Sequence, residues 1–185
     1  MRLQKVTEPD YEPVTIAEAK AQVRVTHTEE DAWFRRQIRA ARRAAQAIQW
    51  RAYNTQTFAI LFDCLPELPI SFPRGPLVSV EHVYTYDVDN VQTDVALSTF
   101  QIDVDSQPGR MAFANGGAWS STTVRSLNAV RIEFTAGYGA NPEDQPEDIR
   151  DAILLYVAHA YENRAGEFDV PKQFRDILAP NKLYQ

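Results

Sequence analysis

The hydrophobic period of this chain changes twice, and that change limits the fold more than any single motif. A helical pattern runs from Thr15 to Arg51, a strand pattern from Asn54 to Phe134, and a helical pattern returns from Pro146. A β block inside a helical frame predicts an α+β protein. The expected core has two N-terminal helices and one C-terminal helix, with an inserted antiparallel β region and an extended C-terminal tail. The expected boundaries are 1–51 for the N-terminal helical part, 52–140 for the β region, 141–166 for the helix completing the core, and 167–185 for the tail.

Local signals support each element. Thr15 and Glu18 in "PVTIAEAKAQVRV" form a T-x-x-E capping box ahead of a first helix, with Ile16, Ala19 and Val23 on one face. A second, longer helix follows in "THTEEDAWFRRQIRAARRAAQAIQW". Thr28 is its expected cap, and Glu29, Glu30 and Asp31 suit the positive end of its dipole. Phe34, Ile38, Ala41, Ala45 and Ile48 form a continuous apolar seam. The strands are expected in "TQTFAILFD", "LVSVEHVYTYD", "TFQIDVD", "GRMAFA" and "AVRIEFTAG", with turns at "FPRGP" and "SQPGR". Ile149, Ala152, Ile153, Tyr156, Val157 and Ala160 mark the buried face of a third helix, which Asn163 and Gly166 suit as an end. A short helix fits between Pro171 and Pro180. The loop over 113–129 receives no role.

Chemistry is harder to find. Gly137, Tyr138 and Gly139 precede a helix, which is how phosphate loops are laid out, but no third glycine, lysine or Ser/Thr follows. Glu143, Asp144, Glu147, Asp148 and Asp151 crowd the place an anion would take, so the turn reads as a strand handing over to a helix. Asp87 with Asp89, and Asp103 with Asp105, lack the residues of a calcium loop and read as strand ends. His27, His82 and His159 have no zinc spacing, and no serine lies in G-x-S-x-G. His159 reads as a packing or hydrogen-bonding residue. Cys64, beside Leu65, reads as a small core residue, and a single cysteine argues for an intracellular folding site. The start "MRLQKVTEPDYEP" has no apolar segment of a secretory signal, and no apolar run approaches a membrane span. The expectation is therefore no enzyme, no cofactor, no metal and no membrane partner.

Charge is the strongest remaining feature. Thr15 to Arg51 holds eight Lys or Arg and four Asp or Glu, net +4. Of the chain's 19 basic and 25 acidic residues, that leaves 11 and 21, net -10, for the remainder. Arg35, Arg36, Arg39, Arg42 and Arg43 sit on the second helix. They suit nucleic-acid contact, or a solvated or intersubunit face. The acidic remainder favours the second.

The ordered motifs add a resemblance. "PVTIAEAKAQVRV", "DAWFRRQIRAARRAAQ", "QTFAILFDCLPE", "FPRGPLVSVEHVYTYD", "FQIDVDSQPGR", "VRIEFTAGYG", "PEDIRDAILLYVAHAYENR" and "VPKQFRDIL" together resemble the head-tail connector family. These are the adaptor, or head completion, proteins of long-tailed double-stranded-DNA phages, prophages and gene transfer agents. The most specific pieces are P-V-T-x-x-E-A-K, F-T-A-G-Y-G and A-x-x-Y-E-N-R. The resemblance implies a non-enzymatic ring of twelvefold symmetry in the virion neck, assembled in the host cytoplasm. It would dock beneath the portal protein, join the next head-completion or tail component, and pass DNA through its lumen without reading sequence. In such a ring the five arginines would face a neighbouring copy. The tail would dock on the portal through Phe174, Ile177 and Leu178, extended by Leu183 and Tyr184; the alternative is that it folds back on its own helices. Another phage neck or tail-completion protein is the alternative function, and a small nucleotide-binding protein a distant one.

Overall fold

Two hydrophobic cores organise this chain, one lined by helices and one by strands. The computed structural model describes residues 1–120, 123–164 and 169–183. One unit comprises Pro9–Asn54 and Tyr138–Leu183; the other comprises Met1–Glu8 and Thr55–Gly137. The described residues form four α-helices and two antiparallel sheets, the α+β class expected from the change of period.

The helical unit contains α1 (Ile16–Gln22), α2 (Asp31–Gln49), α3 (Glu147–Glu162) and α4 (Lys172–Leu178). The capping box of α1 forms as read: the Glu18 amide donates to Thr15 Oγ1 at 3.2 Å and the Thr15 amide to Glu18 Oε2 at 2.8 Å. Thr28 does not cap α2. Its carbonyl accepts the Asp31 amide, and the cap position falls two residues later, at Glu30, without a side-chain cap. Helix α2 ends at Trp50, whose left-handed backbone (φ 58°) does the work a glycine often does. Phe34, Ile38, Ala41 and Ala45 of α2 meet Ile149, Ile153, Tyr156 and Val157 of α3 in one core. Alanines at Ala41 and Ala45 let the two helices approach closely. Helices α1 and α4 each pack against both.

The β unit is built on a five-stranded sheet in the order β1 (Arg2–Lys5), β2 (Gln56–Phe62), β8 (Val130–Ala136), β4 (Leu77–Tyr86), β5 (Gln92–Asp94). A second sheet orders β3 (Ile70–Ser71), β7 (Arg110–Phe113), β6 (Phe100–Asp103). Central β8 alternates: Val130, Ile132, Phe134 and Ala136 are buried while Arg131, Glu133 and Thr135 face the other side. Phe58 pairs with Phe134 across β2 and β8, their rings stacked at 5.5 Å. All five expected strand segments are present. β1 precedes the helical pattern, inside the 1–51 segment expected to belong to the helical part, and β1, β3 and β5 are strands beyond the five expected.

The loop over 113–129 is held at both ends. Trp119 packs on Phe100 and Phe113 and donates from Nε1 to the Pro66 carbonyl at 3.0 Å. Arg125 lies 3.9 Å over the Tyr86 ring and donates to the Asn128 carbonyl.

Candidate subunit interface

The buried seam of α2 turns its opposite face to water. Arg35, Arg36, Arg39 and Arg43 are exposed there. Arg42 departs from the sequence reading. It lies one helical turn from Ile38 and three residues from Ala45, at the margin of the seam, and is 1% exposed. Its Nε donates to Glu12 Oε2 at 2.6 Å and its Nη2 to Glu12 Oε1 at 3.2 Å, a two-pronged pair, while Nη1 reaches Gln46 Oε1 at 3.1 Å. Arg42 therefore anchors the segment before α1 to α2 and offers no charge to another molecule. Arg39 keeps a looser contact of 3.7 Å with Glu12 and a largely exposed side chain.

The outward face of α3 is acidic. Glu147, Asp151 and Glu162 are exposed, and half-buried Leu154, Leu155 and Ala158 lie between them. Arg150 is turned aside to pair with Glu18 of α1. At the far end of α3, Arg164 pairs with Glu30 and lies over the rings of Tyr161 and Trp33 at 3.9 and 4.6 Å. The Tyr161 hydroxyl also donates to Glu30, at 3.0 Å. The hydrogen bond from Arg164, reinforced by Tyr161, holds the Glu30 carboxyl down to about 2. Asn163 caps the helix end by donating to the His159 carbonyl at 2.9 Å, while Gly166 lies outside the described residues.

The glycine turn has a local explanation. A Cβ at Gly139 would fall 2.1 Å from Asp144 Oδ2, because that carboxylate folds back to accept the Asn141 amide at 2.8 Å. The chain's own acid fills the position a phosphate would need. Asp87 accepts the amides of Asp89 and Val91, both at 2.9 Å, and so closes the β4–β5 turn. Asp103 accepts from Ser106 and Arg110, and these bonds hold it well below the usual carboxylate range. Among the described residues no three His, Cys, Asp or Glu side chains gather into a metal-binding group. Cys64 is exposed in the bend after β2, not in the core as expected.

The tail is where the sequence reading needs most revision. Phe174 and Leu178 are fully buried in the helical core, with Phe174 against Tyr156 at 5.2 Å, and Ile177 packs at the edge. Leu183 is buried too, and its amide donates to the Gln49 carbonyl at 2.9 Å. Gln49 Nε2 in turn donates to the Leu178 carbonyl at 2.8 Å. The apolar stripe is covered by the chain's own helices, the alternative left open above, so in this arrangement it presents no surface to a partner. Tyr184 lies outside the described residues.

No family model matches this sequence, and no curated protein matches it. Solved structures do. A chain in the neck of the empty gene transfer agent particle, computed with C6 symmetry, superposes with a TM-score of 0.84 and 23% identity, over 100% of this chain and 97% of that one. A chain in the virion of the native particle gives 0.82 and 23%, with the same coverage. A chain in the native particle's neck, computed with C12 symmetry, gives 0.78 and 21%, again over 100% and 97%. The fold is shared end to end. No described helix is long and apolar enough to cross a membrane.

Proposed function

We propose that this chain is a structural neck protein: a head-tail connector that forms a ring beneath a portal vertex and gives DNA a passage from head to tail. One observation carries the reading, the full-length fold likeness to gene transfer agent neck chains at a TM-score of 0.84. The C12 symmetry of one such neck supports a twelvefold ring. The partners proposed are further copies of the chain, the portal protein and the next head-completion or tail component, with DNA in transit. The site of action is the virion neck, after assembly in the host cytoplasm. The role is architectural, not enzymatic. Aspartates that catch the eye in the sequence are committed to turns and to arginine, which supports that view.

The exposed arginines of α2 are proposed as a contact between copies. Portal docking by the tail is retained in altered form: engaging Phe174 and Leu178 requires α4 to leave its core, so an intact α4 restricts docking to its outward face. The test is to purify the chain with its portal protein, image the mixture by electron microscopy, and measure binding by co-sedimentation. Rings capping the portal are the expected result. A chain that stays monomeric and ignores portal overturns the proposal, and one that binds only a tail-side component moves it to another neck position.

A further inference from the structure

The helical unit is electrically two-faced along one axis. Helices α2 and α3 pack seam to seam, so their outer faces point away from one another. On α2, Arg36, Arg39 and Arg43 fall within about 60° of helical arc and are exposed, with no acidic residue among Ala32 to Gln49. On α3, Glu147, Asp151 and Glu162 fall within a similar arc of about 60°. The one arginine of α3, Arg150, is drawn off that face by Glu18. Between the acids lie half-buried Leu154, Leu155 and Ala158; beside the arginines lie half-buried Ala40 and Ala44. Each face thus sets charged side chains next to small or apolar ones, both of which protein contacts use.

We infer that these two faces are the two halves of one contact: the arginine face of α2 in one copy docks on the acidic face of α3 in the next. This rests on the ring reading above and specifies what that reading leaves open, the surface opposite the arginines. A contact between unlike faces on opposite sides of one rigid body is heterologous, and repetition closes a ring when the rotation permits. A twofold dimer would instead bring like charges together. Both helices lie in the same unit, so the disposition of the two faces is fixed by a shared core. Exposed charges of this kind set partner and orientation, and salt screens them. Nucleic acid is the competing occupant of the arginines alone, but it leaves the acidic face without a role.

The test is a charge-swap mixture. One variant carries Arg36→Glu with Arg43→Glu; the other carries Asp151→Arg with Glu162→Arg. Circular dichroism and thermal melts first establish that both remain folded. Neither changes the Arg42–Glu12 pair or the Arg164–Glu30 pair. At low salt, mass photometry and negative-stain imaging should show wild-type rings and at least tenfold fewer rings from either variant alone. Mixing the two in equal amounts should restore rings, because every contact again joins opposite charges and an alternating order closes in any even-numbered ring. A chain carrying all four changes should assemble by itself. If wild type forms rings and both variants do so equally well, the pairing is wrong and the ring reading stands. Loss of assembly that neither mixing nor the fourfold variant restores also overturns the pairing. Unchanged rings with weakened binding of double-stranded DNA by the arginine variant assign that face to nucleic acid instead. Wild type that never assembles, alone or with portal protein, overturns the ring reading and this contact with it.

Discussion

Arg42 shows what a side chain's chemistry hides from a sequence. An arginine on an amphipathic helix is read as solvent-facing, and four of the five in this cluster are. Arg42 sits at the margin of the seam, and Glu12, thirty residues earlier, completes it with two hydrogen bonds. The available signal was position: Arg42 is i+4 from Ile38 and i−3 from Ala45, both buried. Its partner lies in a segment without periodicity, so nothing marked it. A buried guanidinium stripped of its carboxylate is costly. Glu12→Gln should therefore lower stability by roughly 3 kcal/mol, the lower end for breaking a buried pair because Glu12 keeps some contact with water. Urea melts of the two proteins measure this, and a difference below about 1 kcal/mol, as found for surface pairs, would reject the buried-pair account. Cys64 teaches the converse. A small apolar residue beside a leucine looked like core, but the strand ends two residues earlier and the bend turns it outward.

Among elements, length and apolar content decided what was legible. Strands β2, β4 and β8 run seven to ten residues and display β-branched and aromatic residues clearly. β3 and β5 have two and three residues, too few to show alternation, and four-residue β1, Arg2–Lys5, has one apolar residue; each exists because a longer neighbour pairs with it. The α4 stripe was visible, but its destination was not, since three apolar residues specify burial without naming the surface. Phe174→Ala should cost about 3–5 kcal/mol, read by thermal or chemical melts. A neutral effect would mean that α4 does not hold the core. The end of α3 gives a pH prediction. Glu30 titrates at about 2 in the folded chain, below its ordinary 4.5, so its contact with Arg164 adds full stability above pH 4.5. That contribution fades as pH falls from 4.5 towards 2. Wild type should lose more stability across this window than Glu30→Gln, and equal losses would show that the contact contributes nothing to the fold.

At the scale of the whole molecule, the α+β class followed from the two changes of hydrophobic period and the packing of the flanking helices from their one-sided apolar faces, while the meeting of the chain's departure and return points did not. The two halves of the helical unit are separated by more than eighty residues of sequence, yet they close side by side. The Tyr138 amide donates to the Tyr53 carbonyl at 2.7 Å, and Asn54 bridges to Gly139 in parallel. Departure and return points that touch make the intervening stretch a cassette. Replacing residues 55–137 by a flexible Gly/Ser linker of about eight residues, long enough to span this gap, should leave a helical protein that melts cooperatively. An unfolded product would show that the strands are needed for the helices to form. Loop closure grows only slowly costlier with length, so the same doorway tolerates inserts of very different size. A lineage of such proteins can therefore exchange what hangs from this frame while leaving the frame untouched, and an engineer can thread a foreign domain through the same opening.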